Sequence, residues 1–240
     1  MTILKWVVDY WKLIARHVYV FDNGSTDGSK EFLSDFDFVT VIDISGLTKN
    51  KLDDGLHIWL KNNMFKLLDS DFSIMCDMDE CFYFNDIENT LTDLRKNSYK
   101  GLRPIYCDMV CTETPKYKEN TLFHEYNELC RPGNSKCLLL DNSKVTEVNY
   151  LPGAHILTGL VDNEIWNCTD TYCFHIRYLS PEYMLERLHI SDNRLSQENL
   201  IHGWGVHYRY SDDLTLRDYY KFLNESVRWK DINYINYIKN

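Results

Sequence analysis

Three acidic residues within four positions, Asp77-Met78-Asp79-Glu80, follow the apolar run Ser73-Ile74-Met75-Cys76. A second polar cluster, Asp22-Asn23-Gly24-Ser25-Thr26-Asp27-Gly28-Ser29, follows Val18-Tyr19-Val20-Phe21. Both apolar runs read as buried strands, so each delivers its polar residues at a strand's carboxyl end, where open α/β sheets bind ligands. In an extended segment, alternation puts Asp77 and Asp79 on one face. Two unpaired carboxylates side by side repel unless something positive stands between them. A hard divalent cation answers that need, Mg²⁺ or Mn²⁺ being held by one or two carboxylates together with phosphate oxygens. Each cluster alone has a plainer reading. Asp-Asn-Gly-Ser is good turn chemistry, and an acidic strand end can be solvated or can cap whatever follows. The two together favour a nucleotide-and-metal site.

The two motifs, in this order, resemble the family 2 type of nucleotide-sugar-dependent glycosyltransferase with the GT-A fold. Further segments agree: Lys61-Asn62-Asn63-Met64-Phe65-Lys66, Ser135-Lys136-Cys137-Leu138-Leu139-Leu140, Gly153-Ala154-His155, and Phe174-His175-Ile176-Arg177-Tyr178 leading into Ser180-Pro181-Glu182-Tyr183-Met184-Leu185-Glu186. Together they are similar to a bacterial and viral branch that decorates surface polysaccharides or glycans. The similarity runs from about Leu4 to about Asn193. It departs from the family at the start, where such enzymes open with a β-strand. Here Ile3, Leu4, Val7, Val8, Trp11, Ile14 and Ala15 recur at helical spacing, so the family's first strand is missing and the chain begins in the first crossover helix.

The resemblance implies a metal-dependent, inverting transfer of a sugar from a UDP- or GDP-linked donor to a glycan or lipid-linked acceptor. It implies Asp79 as a direct ligand of Mn²⁺ or Mg²⁺ and Asp77 as a ligand or ribose contact, with Glu80 assisting through water. Asp22 and Asn23 would meet the nucleotide, as would Asp53 and Asp54, for which helix capping is the alternative. His155 and His175 are candidates for a further metal ligand, against the alternative of a buried, hydrogen-bonded histidine or an acceptor contact. Lys136 would pair with a phosphate or an acceptor acid, a solvated lysine being the alternative. An inverting transfer also needs a carboxylate base at the acceptor hydroxyl. Asp108, Glu113, Glu125, Glu128, Asp162 and Glu164 are on offer, and the sequence leaves the catalytic residue unassigned among them. Two other classes compete: an inactive GT-A domain serving as a glycan-binding or scaffold module, and a nucleotidyltransferase, which lacks support because no Gly-rich, basic phosphate loop is present.

The elements that must position these residues alternate through the first half. A strand is expected at Val18 to Asp22, a short helix near Thr26, a strand at Phe38 to Ile44, a helix from about Asp53 to Leu68, and the acidic strand at Phe72 to Asp77. A helix capped by Asn85 or Asp86 should reach Asn97, before an edge-like strand, Leu102 to Cys111, that contains Pro104. This implies an α/β, Rossmann-like GT-A fold with a mostly parallel central sheet flanked by helices and a smaller antiparallel, irregular C-terminal part. The Asp22 and Asp77 strands should end on one edge of one sheet. Residues 111–132 read as a loop or lid. Strands follow at Lys136 to Leu140, Val145 to Tyr150 and Thr171 to Ile176. A helix starts at Ser180-Pro181 and runs to about Asn193, and another covers Thr215 to Val227. The 240 residues, 44% of them hydrophobic, suit a single domain, with a nucleotide-binding half to about 110 and an acceptor-side half after it.

Net charge of −10 and the lack of a basic stripe argue against nucleic acid. No run of about 18 apolar residues suggests a transmembrane segment, and no signal peptide is evident. The expectation is a cytoplasmic protein, compatible with peripheral membrane association. The eight cysteines contain no Cys-x-x-Cys pair and read as reduced thiols. Asn23, Asn167 and Asn224 each begin a short glycosylation sequon, which matters only in a secretory lumen.

Overall fold

The computed structural model describes residues 3–134, 136 and 139–232. Cys137 and Leu138 of the expected Lys136 to Leu140 strand lie outside the described residues. The chain opens with α1 (Leu4–Ile14), as the apolar spacing requires, and Trp6, Val7 and Tyr10 are fully buried. They pack with Phe123, Phe174 and Ile176 in the largest core cluster. Strand β1 (Val18–Asp22), helix α2 (Ser29–Ser34) and strand β2 (Val39–Asp43) form a parallel unit, with Val18 opposite Val39 through to Asp22 opposite Asp43. Short α3 (Ser45–Thr48) leads to α4 (Asp54–Asn63), whose start is fixed by the Asp53 carboxylate accepting from the Leu56 N–H at 2.9 Å. A 3₁₀ turn, Met64–Leu67, completes the expected Asp53–Leu68 helix.

The second sheet is mixed. Its elements are β3 (Phe72–Ile74), β4 (Glu80–Phe84), β5 (Gly101–Val110), β6 (Leu129–Pro132), β7 (Leu139–Asp141), β10 (Ile165–Tyr178) and β11 (Val227–Arg228), with a separate hairpin of β8 (Asn149–Tyr150) and β9 (Leu157–Thr158). The order is β11-β6-β5-β10-β4, with β7 on the start of β5 and β3 on β7. Helix α5 (Ile87–Lys96) joins β4 to β5, α6 (Phe123–Tyr126) precedes β6, and α7 (Pro181–Arg194), α8 (Gln197–His202) and α9 (Asp212–Asn224) follow β10.

An α/β chain is what the sequence implies; a mostly parallel sheet is not what forms. Among the described strands, β1–β2 and β5–β10 pair in parallel, while β3–β7, β5–β7, β5–β6, β6–β11, β4–β10 and β8–β9 are antiparallel. The expectation treated each intervening helix as a parallel crossover. A tight turn, not a helix, joins β3 to β4, and β4 then pairs with β10. β1 and β3 also lie in different sheets, against the expectation of one sheet edge carrying both polar clusters. Pro104 does not place β5 at an edge. It falls between the stretch paired with β7, Gly101 and Leu102, and the stretch paired with β6, Cys107 to Met109.

The expected lid is anchored instead. Within 111–132, Phe123 and Cys130 are fully buried, and His124 Nδ1 lies 2.7 Å from the Tyr10 hydroxyl of α1. Helix α7 starts as its sequence signals, with Ser180 Oγ accepting from the Tyr183 N–H at 3.1 Å and Pro181 in the first turn. No helix among the described residues is long and apolar enough to cross a membrane.

Candidate functional site

Strand β3 ends at Ile74, and the acidic residues that follow form a closed turn. The Asp77 carbonyl accepts from the Glu80 N–H at 3.0 Å, while the Glu80 carboxylate accepts from the Asp77 N–H at 2.9 Å. The turn breaks the alternation expected of an extended segment, so Asp77 and Asp79 face different partners. Asp77 meets Lys61 of α4 at 2.8 Å and Lys136 at 3.2 Å. Lys136 also reaches Glu80 at 2.5 Å, and the Tyr106 hydroxyl donates to the same Glu80 oxygen at 2.5 Å. Asp79 lies 3.3 Å from Arg187 of α7 and 3.6 Å from His175 Nε2. The other nitrogen of His175, Nδ1, is 2.7 Å from the Asp108 carboxylate, opposite it in the β5–β10 register. The positive charge that neighbouring carboxylates demand is thus supplied by side chains from α4, α7 and β10.

These contacts decide the protonation states. Burial would raise the Asp77 carboxyl, but Lys61 and Lys136 hold it well below the usual carboxylate range. Burial would likewise raise Asp79, and His175 and Arg187 hold it low. For Lys136, burial pulls the amine down and Asp77 with Glu80 more than reverse that. His175 follows the same logic: burial lowers it, yet Asp79 and Asp108 on its two nitrogens lift it to about 9. Gly133 is required beside this cluster, because a Cβ there would stand 2.7 Å from the Tyr106 ring and 2.8 Å from an Asp108 oxygen.

A cavity of about 1640 Å³ opens onto the cluster. Of the residues singled out from sequence, Asp54, Asp77, Asp79, Glu80, Asp108, Lys136, His155 and His175 line it. Asp22, Asn23 and Asp53 are not among the lining residues and serve the loops around it. The Asp22 carboxylate accepts from the N–H groups of Gly24 at 3.0 Å and Ser25 at 3.1 Å. The Asn23 amide donates to the Lys51 carbonyl at 2.7 Å and accepts from the Thr48 hydroxyl. Asp53 caps α4, the alternative the sequence allowed. Asp54 accepts from Asn199 Nδ2 at 3.0 Å and faces His57 at 3.9 Å. His155 sits on the rim, where burial and then Lys136 lower its affinity for a proton.

Sequence reasoning gave no role to Lys61, Tyr106 or Arg187. A signal existed for Lys61: Asp54, His57 and Lys61 recur at helical spacing, so α4 presents one polar stripe to the cavity. Arg187 belongs to the stripe Tyr183, Arg187, Arg194 on α7. Its Arg194 member donates to the Asn23 carbonyl at 2.6 Å, so one helix touches both polar clusters.

Of the four residues expected to hold a metal, the fold brings Asp79 and His175 together; they stand as an ion pair, and a cation could join them only by displacing the proton on Nε2. Two donors bound to one ion lie roughly 3 to 3.6 Å apart when each bond is about 2.1 Å, and Asp79 Oδ1 and His175 Nε2 are 3.6 Å apart. Asp108 on the far nitrogen is the carboxylate–histidine pairing that orients metal-binding imidazoles. Among the described residues no group of three or more His, Cys, Asp or Glu is arranged to hold an ion. The remaining positions would therefore fall to ligand phosphates and water. Asp77 stands apart from this pair, engaged by its two lysines, and His155 does not join it. Compared with known protein families, with characterised proteins and with solved structures, the chain finds no match in any of the three.

Proposed function

We propose that this chain is a cytoplasmic glycosyltransferase that takes a sugar from a UDP- or GDP-linked donor and passes it to a glycan or lipid-linked acceptor. The observation that carries the reading is the acidic turn Asp77–Glu80 set among Lys61, Lys136, Arg187 and His175 at the wall of the cavity. Breaking the bond between an anomeric carbon and a diphosphate develops negative charge on the leaving phosphate, and fixed cations aimed there stabilise it. An arriving diphosphate competes with Asp77 for the two lysine amines. The half-exposed Asp77 side chain can yield them, while Glu80, fully buried, keeps Lys136 in place. Asp79 and His175 would hold Mn²⁺ or Mg²⁺, which when bound supplies further charge neutralisation to the diphosphate.

Of the six carboxylates offered as base, Asp108 alone is among the cavity's lining residues. We assign it the acceptor proton. His175 fixes one carboxylate oxygen and leaves the other toward the cavity side near Gly133. The volume exceeds the roughly 300–1,000 Å³ of a common ligand site, which suits donor and acceptor together. A binding-only module is favoured by one observation, the separation of β1 and β3 into different sheets; it would bind glycan with no response to nucleotide. The test is nucleotide release from a panel of UDP- and GDP-sugars with and without acceptor glycans. Acceptor-stimulated release that Asp108→Asn lowers about a hundredfold or more, with nucleotide binding in the absence of Mn²⁺ unchanged, supports the reading. An Asp108→Asn chain as active as the parent removes the assignment of the base.

A further inference from the structure

Arg177 stands two residues after His175 on β10, at the register shift between Ile176 and Tyr178, and both line the cavity. Its guanidinium lines the cavity and, among the described residues, makes no hydrogen bond or ion pair; its nearest ring contact is Tyr178, 5.6 Å away. Burial disfavours its charge, Tyr178, Tyr208 and then Asp79 and Asp108 favour it, and neither carboxylate comes within ion-pair distance. His207 lines the same cavity, and its Nε2 is buried without a partner. Burial and then the neighbouring Arg177 charge hold His207 at about 4, so the ring is neutral at physiological pH. A partly buried guanidinium and a buried ring nitrogen thus both lack hydrogen-bond partners, and each leaves a donor unsatisfied at the cavity wall. A ligand group that accepts from both would satisfy them.

We propose that Arg177 and His207 form an oxyanion subsite of the cavity that receives a carboxylate or phosphate group of the sugar ligand, separate from the Lys61–Lys136 cluster. The planar fork of Arg177 matches the two oxygens of such a group, and a neutral imidazole protonated at Nε2 donates one more hydrogen bond. Because Arg177 lies two residues from His175, the bound group sits beside the Asp108 pair, so it would orient the sugar for transfer. That the ligand is a sugar rests on the function proposed above; the oxyanion subsite does not.

The experiment is thermal-shift and calorimetric titration of inorganic phosphate, glucuronate and, as neutral control, glucose, on the full chain and on Arg177→Met and His207→Phe. The expected result is that phosphate or glucuronate, but not glucose, stabilises the parent chain. Arg177→Met should lose about tenfold or more in anion affinity. His207→Phe should weaken the anion in the same direction by less. Repeating the titration in saturating UDP separates the sources: an anion response abolished by UDP assigns the subsite to the donor's phosphate, and a persisting glucuronate response assigns it to an acidic acceptor sugar. A parent chain that ignores both anions overturns the proposal, and so does unchanged anion affinity in Arg177→Met. Should Arg177→Met fail to fold, Arg177→Lys decides, since it keeps the charge without the fork: weakened anion binding supports the subsite and unchanged binding overturns it. A chain that binds anions at Arg177 but no nucleotide would retain this subsite and lose the glycosyltransferase reading.

Discussion

At the scale of single residues, the lysine amine of Lys136 has two carboxylate partners, one of them the fully buried Glu80. Lys136→Met should therefore destabilise the fold by about 3 kcal/mol, because it strands Glu80 as an uncompensated buried charge. Adding Glu80→Gln should recover much of that loss, and urea unfolding of the single and double variants reads both numbers. A second expectation concerns His124, stacked on Phe174 and bonded to Tyr10. Burial depresses it from its ordinary value to about 4. Between about 6.5 and 4 the unfolded chain takes up a proton that the folded chain refuses, so stability is complete above 6.5 and falls as the pH drops through that window. The loss approaches roughly 3 kcal/mol for this group, and His207, also held at about 4, adds in the same direction. Unfolding free energies from pH 7.5 to 4 should show the fall, and His124→Phe should flatten it.

At the scale of elements, α7 links the site's two sides through Arg187 on Asp79 and Arg194 on the Asn23 carbonyl. Its Ser180 cap is worth about 1 kcal/mol. Ser180→Ala should lower stability by that amount and also weaken nucleotide binding, since Arg187 is aimed from the second turn; a chain that loses stability with binding intact would show that the helix start does not set the arginine. Helices such as α1, α4, α5 and α7 could be read from sequence because their signals are local: apolar spacing in α1, Asp53 and Asp86 as caps, and Ser180-Pro181 at a start. Strand partners could not. Nothing local in Glu80–Phe84 announces a strand antiparallel to Thr171–His175, nor does Pro104 reveal that it sits between two partners. The acidic cluster of the candidate site was legible for the same local reason. Its counter-charges were not, since Lys61, Lys136 and Arg187 come from three separated segments and meet only in the folded chain.

At the scale of the whole molecule, a seven-stranded mixed sheet and a two-stranded parallel unit flank a cavity whose walls carry carboxylates and cations in near balance. The surplus negative charge of −10 lies on the molecule as a whole, while the cavity keeps the cations that an anionic donor requires. Salt should accordingly weaken donor binding less steeply than for a protein whose entire surface is basic, because few exposed charges take part. The central claim is a donor site built on the acidic turn, with Asp79 and His175 as the metal pair. Calorimetric titration of UDP and GDP, with and without Mn²⁺, on the parent chain and on Asp79→Ala tests it most directly. The account expects one nucleotide to bind, Mn²⁺ to tighten it, and Asp79→Ala to abolish the Mn²⁺ effect. A folded parent chain that binds neither nucleotide, with or without Mn²⁺, contradicts it.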